Sequence, residues 1–291
     1  MSIVYCANGI VINSDVPLIG WDTEVSYYDY KIKLRHEIFS VNIDDNKWPH
    51  TYSDNCYTYF VWNTRIAIRL HHDHQMVQYM LGEETEYWEL TYALNYVLAY
   101  LAPFINKLAV HGCSVASPSG KGIVLLGKSG IGKSTLLTQL LNLGNAFLGE
   151  EMIVIDCKTN KPSIFCSNKV LRLQKNSKLL YDQNILYLHD GNEDKVAFWN
   201  PSYNCAMGGI PLSTIIIMER DTDTINGIRE LSKMEAIRRI LSDYLYMRGI
   251  ISHISFEKLV QLALNLLSDT KVLLYNTTNY PLVSDIVEIT R

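Results

Sequence analysis

The sequence predicts an α/β fold with a mixed sheet, preceded by an α+β domain, and three observations carry that reading. An apolar run at 122–126 enters a glycine-rich turn, which opens a helix whose leucines (Leu136, Leu137, Leu140, Leu141) recur at helical spacing. Beyond residue 120, strand and helix signals are mixed, where a doubly wound sheet would alternate them strictly. Before residue 84 the chain reads as short strands, and from Glu84 to Pro103 it reads as one helix.

The N-terminal elements follow from local pattern. Apolar runs at 3–6 and 9–12 flank Asn8-Gly9, a hairpin-type turn. Residues 25–34 are β-branched and aromatic. Runs at 57–61, 65–71 and 75–80 form a meander with turns at Asn63-Thr64 and His72-Asp73. Ile66, Ile68 and Leu70 alternate with Arg65, Ala67 and Arg69, so one face meets a core. Trp88, Tyr92, Tyr96, Ala99 and Tyr100 then mark a helix packed under that sheet. The domain boundary is expected at residue 107, giving domains 1–107 and 108–291.

In the second domain, short strands are expected at 108–110 and 113–116. The helix after the glycine-rich turn spans Lys133–Asn142 and stops at Gly144. Strands at 146–148 and 152–156 flank Gly149-Glu150-Glu151. A strand at 170–173 precedes a short helix at 177–181, and further strands fall at 196–199, 214–218 and 225–230. Helices at 233–245 and 256–267, a strand at 272–275 and a helix at 282–289 complete the chain.

The turn carries chemistry. Gly127-Lys128-Ser129-Gly130-Ile131-Gly132-Lys133-Ser134-Thr135 has the spacing of a phosphate-binding P-loop, in the strand–loop–helix setting that the motif needs. Its glycines let backbone N–H groups turn onto a polyanion, and the helix N-terminus adds partial positive charge. Lys133 would reach the β- and γ-phosphates, and the Ser134 hydroxyl would ligate Mg²⁺. The chain is expected to bind a nucleoside triphosphate.

Bulk properties narrow the classes. With 48% hydrophobic and 19% charged residues in 291, the balance is that of a globular protein. A net charge of −4 argues against a nucleic-acid or anionic-membrane surface, and the apolar runs are too short to span a bilayer. Six scattered cysteines without a Cys-x-x-Cys pair, and no leader segment, suggest reduced thiols in a cytoplasmic protein. His71, His72 and His74 lack a Cys or Glu partner at ligand spacing and read as turn and strand residues. Asn160-Lys161-Pro162-Ser163 lacks the closing Asp of a guanine-specificity motif, and no Leu-Ser-Gly-Gly-Gln transporter signature occurs.

The run His111-Gly112-Cys113-Ser114-Val115, followed by the P-loop and then by Glu150-Glu151, resembles the nucleotide core of the HPr kinase/phosphorylases over roughly 108–160. The opening Gly9-Ile10…Asn13-Ser14-Asp15-Val16-Pro17-Leu18 is similar to a narrower branch, the stand-alone peptide serine kinases associated with lasso-peptide and other ribosomal peptides. Pro162-Ser163…Val170-Leu171-Arg172-Leu173 and Gly209-Ile210-Pro211-Leu212-Ser213 also resemble that branch. Two departures stand out. Glu150-Glu151 occupies the place of the family's Asp pair, and the Leu-Glu-Ile-Arg-Gly segment of the bifunctional enzymes has no counterpart. The second departure argues against phosphorylase activity and against HPr as substrate.

The resemblance implies an ATP- and Mg²⁺-dependent kinase acting on a serine of a peptide or small protein, such as the C-terminal serine of a lasso-peptide precursor. It implies Glu150 as base and Glu151 on the metal side with Ser134, an order open to reversal. His111 would bond the γ-phosphate or the incoming oxygen. Arg172 would clamp a phosphate or a substrate carboxylate, where guanidinium geometry suits. Asp156 and Glu219, each ending an apolar strand, are alternative metal ligands. Lys128 reads as a solvated lysine. Residues 1–107 would recognise substrate or set oligomerisation. The family's hexamer is not carried over to this different N-terminal domain, and a homo-oligomer stays open. Rival readings are a non-catalytic nucleotide-binding regulatory module, in which the glutamates mark lost chemistry, and a small-molecule kinase.

Overall fold

The computed structural model describes residues 2–21, 23, 28, 30–43, 49–62, 65–167, 170–174, 186–188, 195–199, 209–220, 227–246, 249, 254–276 and 286. The expected helix at 177–181 lies outside them, as does that at 282–289 apart from Ile286.

The N-terminal sheet has seven strands: β1 (Ile3–Ala7), β2 (Ile10–Ser14), β3 (Tyr30–His36), β4 (His50–Ser53), β5 (Tyr57–Trp62), β6 (Ile66–His71) and β7 (Met76–Leu81). Their order is β1-β2-β3-β7-β6-β5-β4, with β3 parallel to both neighbours and the other pairs antiparallel. Helix α1 (Tyr87–Leu101) lies on this sheet and buries Leu90, Leu94, Val97 and Leu98 against Ile32, Leu34, Ile68 and Leu70. Its start is a capping box. Glu86 accepts from the backbone of Glu89, whose own side chain accepts from the Glu86 amide. A 3-10 turn, Ala102–Ile105, ends in left-handed Asn106 and delivers the chain to the second sheet.

That sheet contains β8 (Lys107–Ala116), β9 (Gly122–Gly127), β10 (Ala146–Asp156), β11 (Ser163–Ile164), β15 (Ile210–Glu219), β16 (Gly227–Glu230) and β17 (Lys271–Asn276). A separate antiparallel sheet holds β12 (Val170–Gln174), β13 (Leu186–Leu188) and β14 (Lys195–Trp199). The main order is β11-β10-β8-β9-β15-β17-β16. β9, β15 and β17 run parallel, while β8 is antiparallel to β9 and β10, so the predicted mixed sheet is present. Helix α2 (Lys133–Asn142) packs Leu136, Leu137 and Leu140 on one face, over Cys113, Val115, Leu125 and Ile216. Helices α3 (Lys233–Arg239) and α4 (Phe256–Leu266) cover the other. Ser232 and Ser255 cap them by accepting from the amides of Glu235 and Lys258.

Four expectations are corrected. The pairs of short strands at 108–110 and 113–116, and at 146–148 and 152–156, are the single long strands β8 and β10. A bulge between Phe147 and Gly149 lets pairing continue through the polar Glu150-Glu151. The helix at 233–245 is α3 followed by a π-helical turn, Ile240–Tyr244, because apolar periodicity does not distinguish the two windings. Cys166 is disulfide-bonded, whereas Cys56, Cys113 and Cys157 are free thiols. Scattered sequence spacing does not reveal proximity in the fold.

Beyond the level of the P-loop, β8 and β10 run on for about five more residues toward the N-terminal sheet, whose core takes in Ala109, Met152, Val154 and Tyr246. There Lys107, fully buried, sits 3.2 Å from Asp156 and over the Phe165 ring. Among the described residues no helix is long and apolar enough to cross a membrane.

Candidate functional site

The loop from β9 into α2 is shaped by its glycines. A Cβ on Gly127 would sit 2.9 Å from Ile131 Cγ2 and 3.0 Å from the Met218 carbonyl oxygen, so no side chain fits there. Gly130 and Gly132 have φ of 79° and 109°, where side chains are disfavoured. Gly132 is also the N-cap of α2 and brings no side chain to cap its first turn, the end of a helix that favours an anion. Ile131 is buried and anchors the loop in the core, whereas Lys128, Ser129 and Thr135 are exposed. The Lys133 ammonium donates to the carbonyls of Gly127 at 2.6 Å and Lys128 at 3.2 Å.

Beside the loop, strand register sets the acidic groups. Gly112 faces Leu126 on one side and Glu151 on the other, while Cys113 pairs with Leu125 and Glu150. A Cβ on Gly112 would lie 2.4 Å from the Leu125 carbonyl oxygen, so β8 approaches β9 this closely only with glycine there. Glu150 is buried, 8% exposed, and its Oε1 accepts from the Ser134 hydroxyl at 2.5 Å. It therefore meets the first turn of α2, where the expectation put Glu151. Glu151 has φ of 73° and turns toward His111, its Oε1 standing 3.7 Å from Nδ1. Beneath them the Cys113 thiol is fully buried. Burial, with a smaller effect from the Glu150 charge, pushes its pKa up and keeps it protonated.

The structure thus brings Gly127 to Thr135, Glu150, Glu151 and His111 together. Asp156 lies at the far end of β10 with Lys107. Glu219 ends β15, one residue beyond Met218, which pairs with Gly127. It is ion-paired to Arg239, which also contacts Glu235. Arg172 lies in β12 opposite Ala197, and its side chain is outside the described residues. His71 pairs with Asp73, and no group of three or more His, Cys, Asp or Glu among the described residues could hold a metal ion. One neighbour was absent from the sequence reading: the Tyr246 ring stacks on His111, 6.2 Å between centroids and 23° between planes. No local pattern marks Tyr246, which is distant in sequence and comes just after the π-helical turn.

A left-handed backbone costs a non-glycine residue about 1–2 kcal/mol and persists where structure over-determines it, often at functional sites. Glu151→Gly is therefore expected to raise stability by about 0.5 kcal/mol, once glycine's greater entropy loss is set against the relief. Denaturant midpoints check this; lower stability in the glycine variant would show that the Glu151 side chain contributes packing that outweighs the backbone strain.

No protein-family model matches the chain. A curated HPr kinase/phosphorylase from Mycoplasmopsis pulmonis (strain UAB CTIP) is 27% identical over 146 residues, which cover 50% of this chain and 45% of that protein. The chain thus spans less than half the length of the relative it matches. Among solved structures, the Hpr(Ser) kinase/phosphatase from Coxiella burnetii is similar at 12% identity with a TM-score of 0.34, over 62% of this chain and 93% of the other.

Proposed function

We propose that this protein is an ATP- and Mg²⁺-dependent kinase that phosphorylates a serine hydroxyl on a peptide or small protein, the C-terminal serine of a lasso-peptide precursor being the acceptor suggested by the N-terminal resemblance. The observation that carries the reading is the contact between Ser134 and Glu150 at the mouth of the P-loop, with Glu151 and His111 alongside. Likeness to an HPr kinase/phosphorylase supports the reaction class.

The hydroxyl and carboxylate oxygens of Ser134 and Glu150 are a hard donor pair suited to Mg²⁺. Bound there, the ion would neutralise charge on the β- and γ-phosphates. Lys133 and the first-turn amides of α2 would hold the triphosphate. This geometry supports the reverse of the order first expected, with Glu150 on the metal side and Glu151 as base. Glu151 would accept the proton of the incoming serine hydroxyl, and His111 would orient that oxygen or bond the γ-phosphate. Residues 1–107 would present the acceptor, and Arg172 stays a proposed clamp.

The test is intact mass of a precursor peptide ending in serine, incubated with the protein, ATP and Mg²⁺ beside an HPr control. One added phosphate on the peptide alone is expected. Tight ATP binding with transfer to neither would favour the regulatory module.

A further inference from the structure

We propose that Tyr246 is a positioning residue for His111, and that helix α1 of the N-terminal domain shares in this through Tyr96. The inference rests on the kinase reading for its consequence, and on geometry for its basis. His111 Nδ1 stands 3.7 Å from Glu151 Oε1, an ion-pair contact whose reach leaves the plane of the imidazole to be set by what packs against the ring. The His111 side chain is 37% exposed, and the Tyr246 ring stacks on it at 23° between planes.

Tyr246 is itself held hard. It is 3% exposed, its amide donates to the Ala109 carbonyl at 3.0 Å, and Leu245 bridges to Val110. Its backbone is therefore pinned to the same strand as His111, a residue or two away. The π-helical turn Ile240–Tyr244 puts it there, for at its end Leu245 becomes extended, with φ of −61° and ψ of 129°. A turn of this winding holds one more residue than an α-turn and re-aims the chain beyond it, as often happens at functional sites.

Behind Tyr246 stands Tyr96, edge-on at 5.9 Å and 71°. Tyr96 in turn meets the edges of Trp62 at 5.2 Å and Tyr92 at 5.8 Å. Edge-to-face rings at such separations favour one mutual orientation. A continuous chain of aromatic contacts thus runs from the N-terminal sheet to the imidazole, so that sheet braces the site.

The experiment compares Tyr246→Phe, Tyr246→Leu and Tyr96→Leu with the parent chain. It measures kcat and KM for ATP in peptide transfer, and the line widths of the His111 ring resonances by NMR. Tyr246→Phe keeps the stack and should stay within about twofold of the parent. Because misplacement of about 1 Å can cost up to about a hundredfold, Tyr246→Leu should lower kcat about tenfold, with KM for ATP nearly unchanged and a His111 ring that averages over orientations. Tyr96→Leu should fall between, and it reads the same effect if Tyr246→Leu does not fold. A folded Tyr246→Leu protein with unchanged kcat, or with kcat and KM worsening together, overturns the proposal. If the parent transfers no phosphate, the kinase reading fails. The resonances then decide alone, and His111 line widths unmoved by Tyr246→Leu overturn the positioning role.

Discussion

Replacing Lys133 by alanine is expected to weaken ATP binding at least about a hundredfold while leaving the fold in place. In the structure the ammonium reaches back to the carbonyls of Gly127 and Lys128, atoms of the loop itself, and is only partly buried. Little core packing is therefore lost with it, and the change in stability should stay within about 1 kcal/mol. On the kinase reading the affinity, in contrast, loses a full cation that would face the triphosphate. A hundredfold is about 2.7 kcal/mol, within the range of charge-assisted hydrogen bonds in a partly screened site. Lys133→Arg should not rescue fully, because a planar fork does not fit the seat of a point-charge ammonium. Titration calorimetry with a thermal melt of each variant decides the matter. Unchanged ATP affinity in a folded Lys133→Ala protein would remove the phosphate-loop assignment and the kinase reading with it.

Elements whose local chemistry determines them were legible in the sequence. Helix α2 occupies Lys133–Asn142, as expected, because a glycine-rich turn, a good first turn and a leucine stripe all act within ten residues. Helix α4 and strand β17 are legible for the same reason, each within a residue of the bounds read from pattern. The unity of β8 and β10 was not legible. His111-Gly112 and Gly149-Glu150-Glu151 break the apolar run, and only pairing with neighbours keeps those residues extended. Nor was it legible which glutamate meets Ser134. Side chains alternate faces along a strand, so one bulged residue between Phe147 and Gly149 exchanges the faces of every later residue in β10. The left-handed φ of Glu151 then turns its carboxylate again. Both are decided by packing around β10. The place of Tyr246 beside His111 depends on a π-helical turn, whose winding the sequence does not announce.

The assignment of roles to the two glutamates makes the second strong prediction. Glu150→Gln keeps the volume of a side chain that is 8% exposed, and its amide oxygen can still accept from Ser134. The fold and nucleotide binding should therefore survive. The variant instead loses a negative charge at the one place where Ser134 and a carboxylate meet, so the Mg²⁺ concentration at half-maximal rate should rise more than tenfold. Turnover should fall about a thousandfold, the scale on which a preorganised electrostatic partner acts. Glu150→Asp withdraws the oxygens by about one methylene and should cost about a hundredfold, by misplacement alone. Glu151→Gln should behave differently, with turnover falling comparably but the Mg²⁺ requirement unmoved, because that side chain faces His111 and not Ser134. Rates measured across a Mg²⁺ titration separate the two. If the Mg²⁺ requirement shifts in Glu151→Gln and not in Glu150→Gln, Glu151 holds the ion and Glu150 is the base. If neither variant loses turnover, the carboxylates are structural, and nucleotide binding serves regulation without transfer.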